Sequence, residues 1–448
     1  MGVLRTEQEI ARRLLADHRL RAIPVAFQAG QMFALEAEQV HLALGSESIF
    51  RTMQSGESAP VATPTPSLGH VARASQFRRY GRAAARTLAG MLIRAVPIYS
   101  RYEVRLTLIH AYAAARSIFK GRHQQEPMLT RDTQGHTAAP LTMAVHPTEW
   151  DVLWTCGDYG ACVPLRTIAE QKRVKQFRVA VIGYDMIRVR HPEWNPPSMN
   201  RDLCVAQATD LLDAADLIYC ISESTRRDVT DFSASVYRSN PHLELLQLGS
   251  DLPENNSPSL DSFDAIMPQL VGRHFALAVG TVEARKNYRL LLKVWIDLSA
   301  DPAFDLDLVI VGRPGQDSAI GEIQASPLLG KRIFWFMNCP DNVLRQLYEH
   351  CKVVLCPSLM EGWGLSVAEG LAHGKQAVCS DRGGIPEAAM NLATVLEPTD
   401  CKAWQETIRA AASAACGSAA QATLPKWDVT ADSVCRGLLA LMQARGEH

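Results

Sequence analysis

The sequence predicts an α/β protein of two doubly wound, Rossmann-like domains that face a deep cleft. Three observations predict it. Short apolar runs alternate with helix-period segments throughout the C-terminal half. A fainter series of the same kind runs upstream, and at 448 residues the chain is long enough for two or three domains. Between the two series lies a stretch rich in Pro, Ser, Asn and Asp. Residues 1–252 are therefore assigned to an N-terminal domain, 253–268 to a linker, 269–425 to a C-terminal domain, and 426–448 to a terminal helix placed to pack back on the N-terminal domain.

Taken in order, "RAIPVAFQAGQMFAL" reads as a strand and hairpin, and "FRTMQSGESAPVATPTPSLGH" as a polar, Pro-rich loop. Residues 71–122 carry Arg73, Arg78, Arg79, Arg82, Arg86, Arg94, Arg101, Arg105, Arg116, Lys120 and Arg122 against one acid, Glu103. With Phe77, Leu88, Met91 and Leu92 interleaved, they predict basic amphipathic helices suited to an anionic membrane surface. A solvated helix face, or a soluble acidic partner, would use the same charges. "DVLWTCG", "RVAVIGYDM" and "ADLIYCIS" read as buried strands, and "SESTRRDVTDF" as a helix capped by Ser222 or Ser224.

In the C-terminal half, "FALAVG" is a strand ending in glycine and "ARKNYRLLLKVWIDL" the helix behind it. "DLDLVIVG", "KRIFWFM", "KVVLCPS", "KQAVCS" and "LATVLEP" supply further strands; Asp341 is read as the N-cap of "DNVLRQLYEHC". "DLD" at 305–307 looks like a metal motif, but its place at a strand start predicts an exposed edge instead.

Bulk composition narrows the class without naming a partner. With 47% hydrophobic residues, 21% charged and a net charge of -1, the global charge argues neither for nor against a polyanionic partner, and no nucleic acid is expected. The eleven cysteines form no C-x-x-C pair and no zinc-like cluster, so they are read as reduced thiols of a cytoplasmic protein. The apolar stretch "LAGMLIRAVPI" is broken by Arg94 and Pro97, and the N-terminus lacks a signal-peptide core.

Four signals fall where the strands end. Gly280 and Thr281 follow a strand, so their N–H groups can approach a diphosphate, with Arg285 and Lys286 close behind. Two cations at a helix start oppose the helix dipole, which points to a compensating anion. Gly312 bounds a second strand exit. In "PSLMEGWGLSVAEGLAHG", Glu361 precedes a Gly362-Trp363-Gly364 turn and Leu365, while Glu369 lies in the helix that follows. Carboxylates accept hydrogen bonds from paired hydroxyls and so suit a ribose or a hexose. Gly383 and Gly384 make a turn before Ile385-Pro386-Glu387, able to offer N–H groups to a ligand or to serve only as structure.

"VGTVEARKN", "LYEHCKVVLCPSLMEGWGLSVAEGLAHGKQAVCSDRGGIPEA" and the spacing between them resemble the nucleotide-sugar domain of the retaining glycosyltransferase family 4, which has the GT-B fold. "YDMIRVRHPEW" and "ADLIYCISESTRRDV" resemble segments of that family's N-terminal domain. The resemblance implies that Glu369 binds the ribose of a nucleotide-diphosphate donor, that Glu361 contacts the transferred sugar, and that Arg285 and Lys286 neutralise the leaving diphosphate. It implies a donor site of Gly280, Thr281, Arg285, Lys286, Gly312, Glu361, Gly362, Trp363, Gly364, Leu365 and Glu369, with Arg285, Lys286, Glu361 and Asp185 in the chemistry. Neither a metal nor a cofactor is expected.

The family's N-terminal domain opens with a strand and a glycine-rich loop; "MGVLRTEQEIARRL" is similar to the segment just after that strand. The reading is either a misassigned start or a missing edge strand, with Gly2 and Arg5 in a loop on the acceptor or phosphate side. Tyr184-Asp185 replaces a His-Asp pair found in many members. The function implied is transfer of a hexose, with mannose or rhamnose from a GDP-activated donor favoured over UDP-glucose-type donors. The acceptor would be a growing, lipid-linked glycan of a surface polysaccharide, at the inner face of the plasma membrane. The alternatives are a non-catalytic scaffold subunit of a polysaccharide assembly complex and a nucleotide-sugar epimerase.

Overall fold

The computed structural model describes residues 2–28, 31–35, 144–149, 151–155, 165–196, 199–239, 241–252, 263, 267–315, 317, 319–337, 339–414 and 424–444. The basic segment 71–122 and nearly all of the 253–268 linker lie outside the described residues. In chain order the elements are α1 (Gly2–Ala16), β1 (Val25–Gln28), β2 (Gln31–Ala34), β3 (Ala144–Val145), β4 (Val152–Thr155), α2 (Leu165–Lys175), β5 (Arg178–Gly183), α3 (Ile187–Arg190), α4 (Arg201–Ala214), β6 (Leu217–Cys220), α5 (Glu223–Ser235) and β7 (His242–Leu245). Then follow β8 (Phe275–Val279), α6 (Tyr288–Leu298), β9 (Asp307–Val311), α7 (Ala319–Ala325), β10 (Ile333–Phe336), α8 (Asp341–His350), β11 (Val353–Cys356), α9 (Leu365–Ala372), β12 (Gln376–Ser380), α10 (Ile385–Ala389), β13 (Thr394–Leu396), α11 (Cys401–Ser413) and α12 (Trp427–Gln443).

The C-terminal sheet is parallel throughout, in the order β10-β9-β8-β11-β12-β13. Its strands read as continuous apolar runs because both faces are covered. Leu277, Val309, Val354 and Cys379 point to one core with Leu344, Leu347 and Tyr348 of α8. Ala276, Ala278, Ile310 and Leu355 point to the other, with Leu291 and Trp295 of α6 and Trp404 of α11. The strand order turns around between β8 and β11, and in such sheets that switch point opens the ligand crevice at the carboxyl ends.

A second parallel sheet runs β4-β5-β6-β7, and β1-β2-β3 is a small antiparallel sheet containing the expected hairpin. One face of the four-stranded sheet buries Val179, Val181 and Ile218 against α2, α4 and α5. The other buries Ala180, Ile182 and Tyr219 against Ile10 and Leu14 of α1 and Trp427, Val434 and Leu438 of α12. The final helix thus returns to the N-terminal sheet. Tyr219 donates its hydroxyl to Val434 O at 3.1 Å, and Trp427 Nε1 donates to Asp251 O at 2.9 Å.

Three expectations are corrected here. Gly2 and Arg5 belong to α1 rather than a loop, because Ile10 and Leu14 bury one helical stripe against the sheet. Asp341 is the first residue of α8, with Pro340 at the cap position, and Asp341 is held by Arg5 instead of capping. Within "DLD", Asp307 is buried at the amino end of β9, held by Arg273 at 2.7 Å and Arg332 at 2.9 Å, so an exposed edge describes only Asp305.

Candidate active site

At the switch point, the segment after β8 meets the segment after β11. Gly280 takes φ +148 and Gly312 lies against it, so that a Cβ on Gly312 would fall 1.9 Å from Gly280 O. Only glycine fits at 312, and the two strand exits run side by side, with Val282 N–H donating to Arg313 O at 2.8 Å. The Gly280 N–H donates to Val311 O at 2.8 Å and that of Gly312 to Phe336 O at 2.9 Å. Both glycines therefore serve close approach; their N–H groups are engaged in the sheet, contrary to the role expected for Gly280. Thr281 sits in the same loop.

Beyond it, Ala284–Lys286 makes a 3₁₀ turn, ended by Asn287 in the left-handed region. The Asn287 amide donates to Pro357 O at 3.1 Å and to Pro398 O at 3.0 Å, tying this turn to the segments after β11 and β13. That places two cations on one carboxylate. Arg285 pairs with Glu361 Oε2 at 2.6 Å and with Glu283 at 2.7 Å, Lys286 pairs with Glu361 Oε1, and Ser358 donates its hydroxyl to Oε1 at 2.9 Å. The anion that compensates Arg285 and Lys286 is thus the protein's own. Burial by itself would raise the Glu361 carboxyl, but Arg285 and Lys286 outweigh it and bring it down to about 2.

The carboxyl end of the N-terminal sheet closes over this cluster. A Cβ on Gly362 would stand 2.1 Å from Tyr184 O and 3.2 Å from Asp185 Cβ, so only glycine lets the turn reach the end of β5. Asp185 is half-buried, and its Oδ1 accepts the Ile187 N–H at 2.9 Å. Burial raises its carboxyl above the ordinary range, against the opposing pull of Arg285. From α10, Glu387 accepts the Glu223 N–H at 2.7 Å and the Ser224 N–H at 3.0 Å, so a C-terminal residue satisfies the start of α5. Ser222 is the N-cap of α5, accepting from Thr225 N. The turn at Gly383 and Gly384 is fixed by Gly384 N–H donating to Glu361 O at 2.9 Å.

Gly364 takes φ +117 at the start of α9. Trp363 is buried and joins the core that contains Tyr184, Ala388 and Trp427, with Leu365 packed beside it. Both lie on the packing side of the turn. Glu369 is buried one turn further along α9. Its Oε2 accepts from the Tyr348 hydroxyl at 2.8 Å and its Oε1 is held by Arg5, which also reaches Asp341 at 2.5 Å. Glu361 and Glu369 are hence held by separate cations, Glu361 by Arg285 and Lys286 and Glu369 by Arg5. Among the described residues no cluster of His, Cys, Asp or Glu could hold a metal ion. No helix among them is long and apolar enough to cross a membrane.

Several site residues were not read from the sequence. Ser358, three residues before Glu361, carries a usable signal, since that spacing returns a hydroxyl to the carboxylate. Tyr348 and Glu283 carry none: "DNVLRQLYEHC" reads only as a helix, and in "VGTVEARKN" the signal lies on Gly280, Thr281, Arg285 and Lys286, not on Glu283.

Residues 266–417 match the family described as glycosyl transferases group 1. The chain is 29% identical over 199 residues to the serotype-specific mannosyltransferase WbdA of Escherichia coli, covering 42% of this chain and 24% of that protein. It is 26% identical over 227 residues to the O-antigen chain mannosyltransferase B of Escherichia coli, covering 50% of this chain and 59% of the relative. The chain thus spans less than two thirds of these relatives. Among solved structures, Anabaena HepE in complex with UDP-glucose superposes with a TM-score of 0.51 at 17% identity, over 65% of this chain and 79% of that one. That likeness shows the GT-B fold.

Proposed function

We propose that this chain, whose residues 266–417 match the glycosyl transferases group 1 family and which has the GT-B fold, is a retaining hexosyltransferase acting on a nucleotide-diphosphate sugar. The observation that carries the reading is the half-buried Glu361–Arg285–Lys286 cluster at the switch point between β8 and β11. Breaking the anomeric C–O bond drives negative charge onto the leaving diphosphate. Cations fixed in advance at that point stabilise the charge as it develops, the largest catalytic contribution such a site can make. Arg285 and Lys286 are so fixed, because Glu361, Glu283 and the Asn287 turn hold them in place. The diphosphate would sit between these cations and the start of α9, whose first N–H groups face an anion favourably.

Glu361, ionised and held by two cations, is suited to accept hydroxyl hydrogens of the hexose, and Glu369 those of the ribose. With Glu361 committed to Arg285 and Lys286 and Asp185 held at Ile187 N–H, we assign no carboxylate nucleophile; departure and attack on the same face follow, with retention. Mannose is the favoured hexose because the relatives WbdA and O-antigen chain mannosyltransferase B are named for it. The acceptor we propose is a growing surface glycan, lipid-linked and met at an anionic membrane through the basic segment 71–122.

A donor screen tests the reading. GDP-mannose, GDP-rhamnose and UDP-glucose are each added to the folded chain, and the melting temperature and nucleoside diphosphate release are followed. A rise in melting temperature with release from one of them is expected. Neither effect with any donor would refute the enzyme assignment and favour a scaffold role.

A further inference from the structure

The seat on Glu369 already has an occupant from elsewhere in the chain. Arg5 belongs to α1, which packs with α12 on the N-terminal sheet, whereas Glu369 and Asp341 belong to α9 and α8 on the C-terminal sheet. Its guanidinium is divided between two carboxylates, one N–H to Glu369 Oε1 and another to Asp341 at 2.5 Å. Arg5 is 6% exposed and Glu369 2%, so the guanidinium covers the carboxylate. With the Tyr348 hydroxyl on Oε2, each oxygen of Glu369 already has a donor.

The fit is incomplete in one respect. The Arg5 Nε is buried and has no hydrogen-bond partner, and a buried donor left unmade detracts from the contact. An arginine prefers a planar two-bond grip on one carboxylate; here it bridges two and leaves a donor over. Asp341 has 42% of its side chain exposed, so one of the two holds lies at the edge of solvent. Tyr348, by contrast, is fully buried beside Glu369, and burial and then the carboxylate push its hydroxyl up, so it remains a donor.

We propose that Arg5 is a gate on the donor site: it occupies the place on Glu369 that the ribose hydroxyls take, and it must leave Oε1 before a donor can bind. This rests on the ribose reading of Glu369 given above. Exchange replaces a buried cation with two neutral hydroxyls, so Arg5 lowers donor affinity and links donor binding to a rearrangement at the start of α1. Arg5 acts here through Glu369, as a positioning residue.

The test compares wild type with Arg5→Met by calorimetric titration of GDP, UDP and the 2′,3′-dideoxy form of whichever binds tighter. Wild type should prefer the ribonucleotide, and Arg5→Met should bind the ribonucleotide about tenfold tighter while gaining less for the dideoxy form, the size expected when one charge-assisted hydrogen bond no longer has to be displaced. Preference in wild type with unchanged or weaker binding in Arg5→Met would overturn the gate and leave the ribose seat standing. No preference in wild type would remove the ribose seat, and the gate with it. Amide exchange on wild type decides the matter even if the variant does not fold. Saturating nucleotide should speed exchange in the first turns of α1, and slower exchange there would contradict the gate.

Discussion

Replacing Glu361 with alanine removes a carboxylate that Arg285, Lys286 and Ser358 all use. Deleting one partner of a buried ion pair costs about 3–5 kcal/mol. Here the side chains of Arg285 and Lys286 retain 23% and 15% exposure, and Arg285 keeps Glu283 and the Met360 carbonyl, so the loss is discounted to about 2 kcal/mol. With an unfolding entropy of about 2.1 cal/mol/K per residue, a chain of 448 residues shifts by about 1 °C per kcal/mol, so the melting temperature should fall by ~2 °C at neutral pH. The contribution depends on pH in a fixed sense. With the folded carboxyl at about 2, below its unfolded value of about 4.3, the stabilisation is complete above about 4.3 and is lost as pH falls toward about 2. Thermal melts of wild type and Glu361→Ala at neutral pH and at about pH 3 measure both effects. Equal melting temperatures at neutral pH, or a gap undiminished in acid, would refute the assignment of Glu361 as a doubly paired carboxylate.

Asp185 should behave in the opposite sense. Its carboxyl is raised by burial, so its ionisation opposes folding at neutral pH, and Asp185→Asn should melt higher there, with the difference closing in acid as the wild-type group protonates; a lower melting temperature at neutral pH would contradict this. Glu387→Ala removes the acceptor for two N–H groups at the start of α5 and should cost about 1–2 kcal/mol in thermal melts, with Glu387→Gln in between; an unchanged melt would deny that this contact joins the two sheets. Co-sedimentation with anionic vesicles should weaken as salt rises if the segment 71–122 meets a membrane by charge, and salt-independent binding would exclude that cause.

The C-terminal sheet was legible because parallel strands covered on both faces leave unbroken apolar runs, and β8, β9, β11 and β12 each fall on one. The cluster of Glu361 with Arg285 and Lys286 was legible as composition, since each group follows a strand, but not as a direct pairing. Which strands are neighbours is set by the crossovers, and only the β8–β11 adjacency brings residues 285 and 361 together. The Arg5 contact was illegible for a stronger reason: its partners stand at 341 and 369, and an ion pair across that separation leaves no period or spacing in the sequence. Local rules also misled at Asp341 and Asp307, where an acid at an element's start is read as a cap or an exposed edge. Long-range arginines claimed both.

Nucleoside diphosphate release from the preferred donor by wild type and Lys286→Met, both shown to be folded, tests the central claim most directly. Removing one fixed cation from the developing diphosphate charge should lower the rate by about 100-fold or more. Release at the wild-type rate by Lys286→Met would contradict the assignment of this cluster as the catalytic centre.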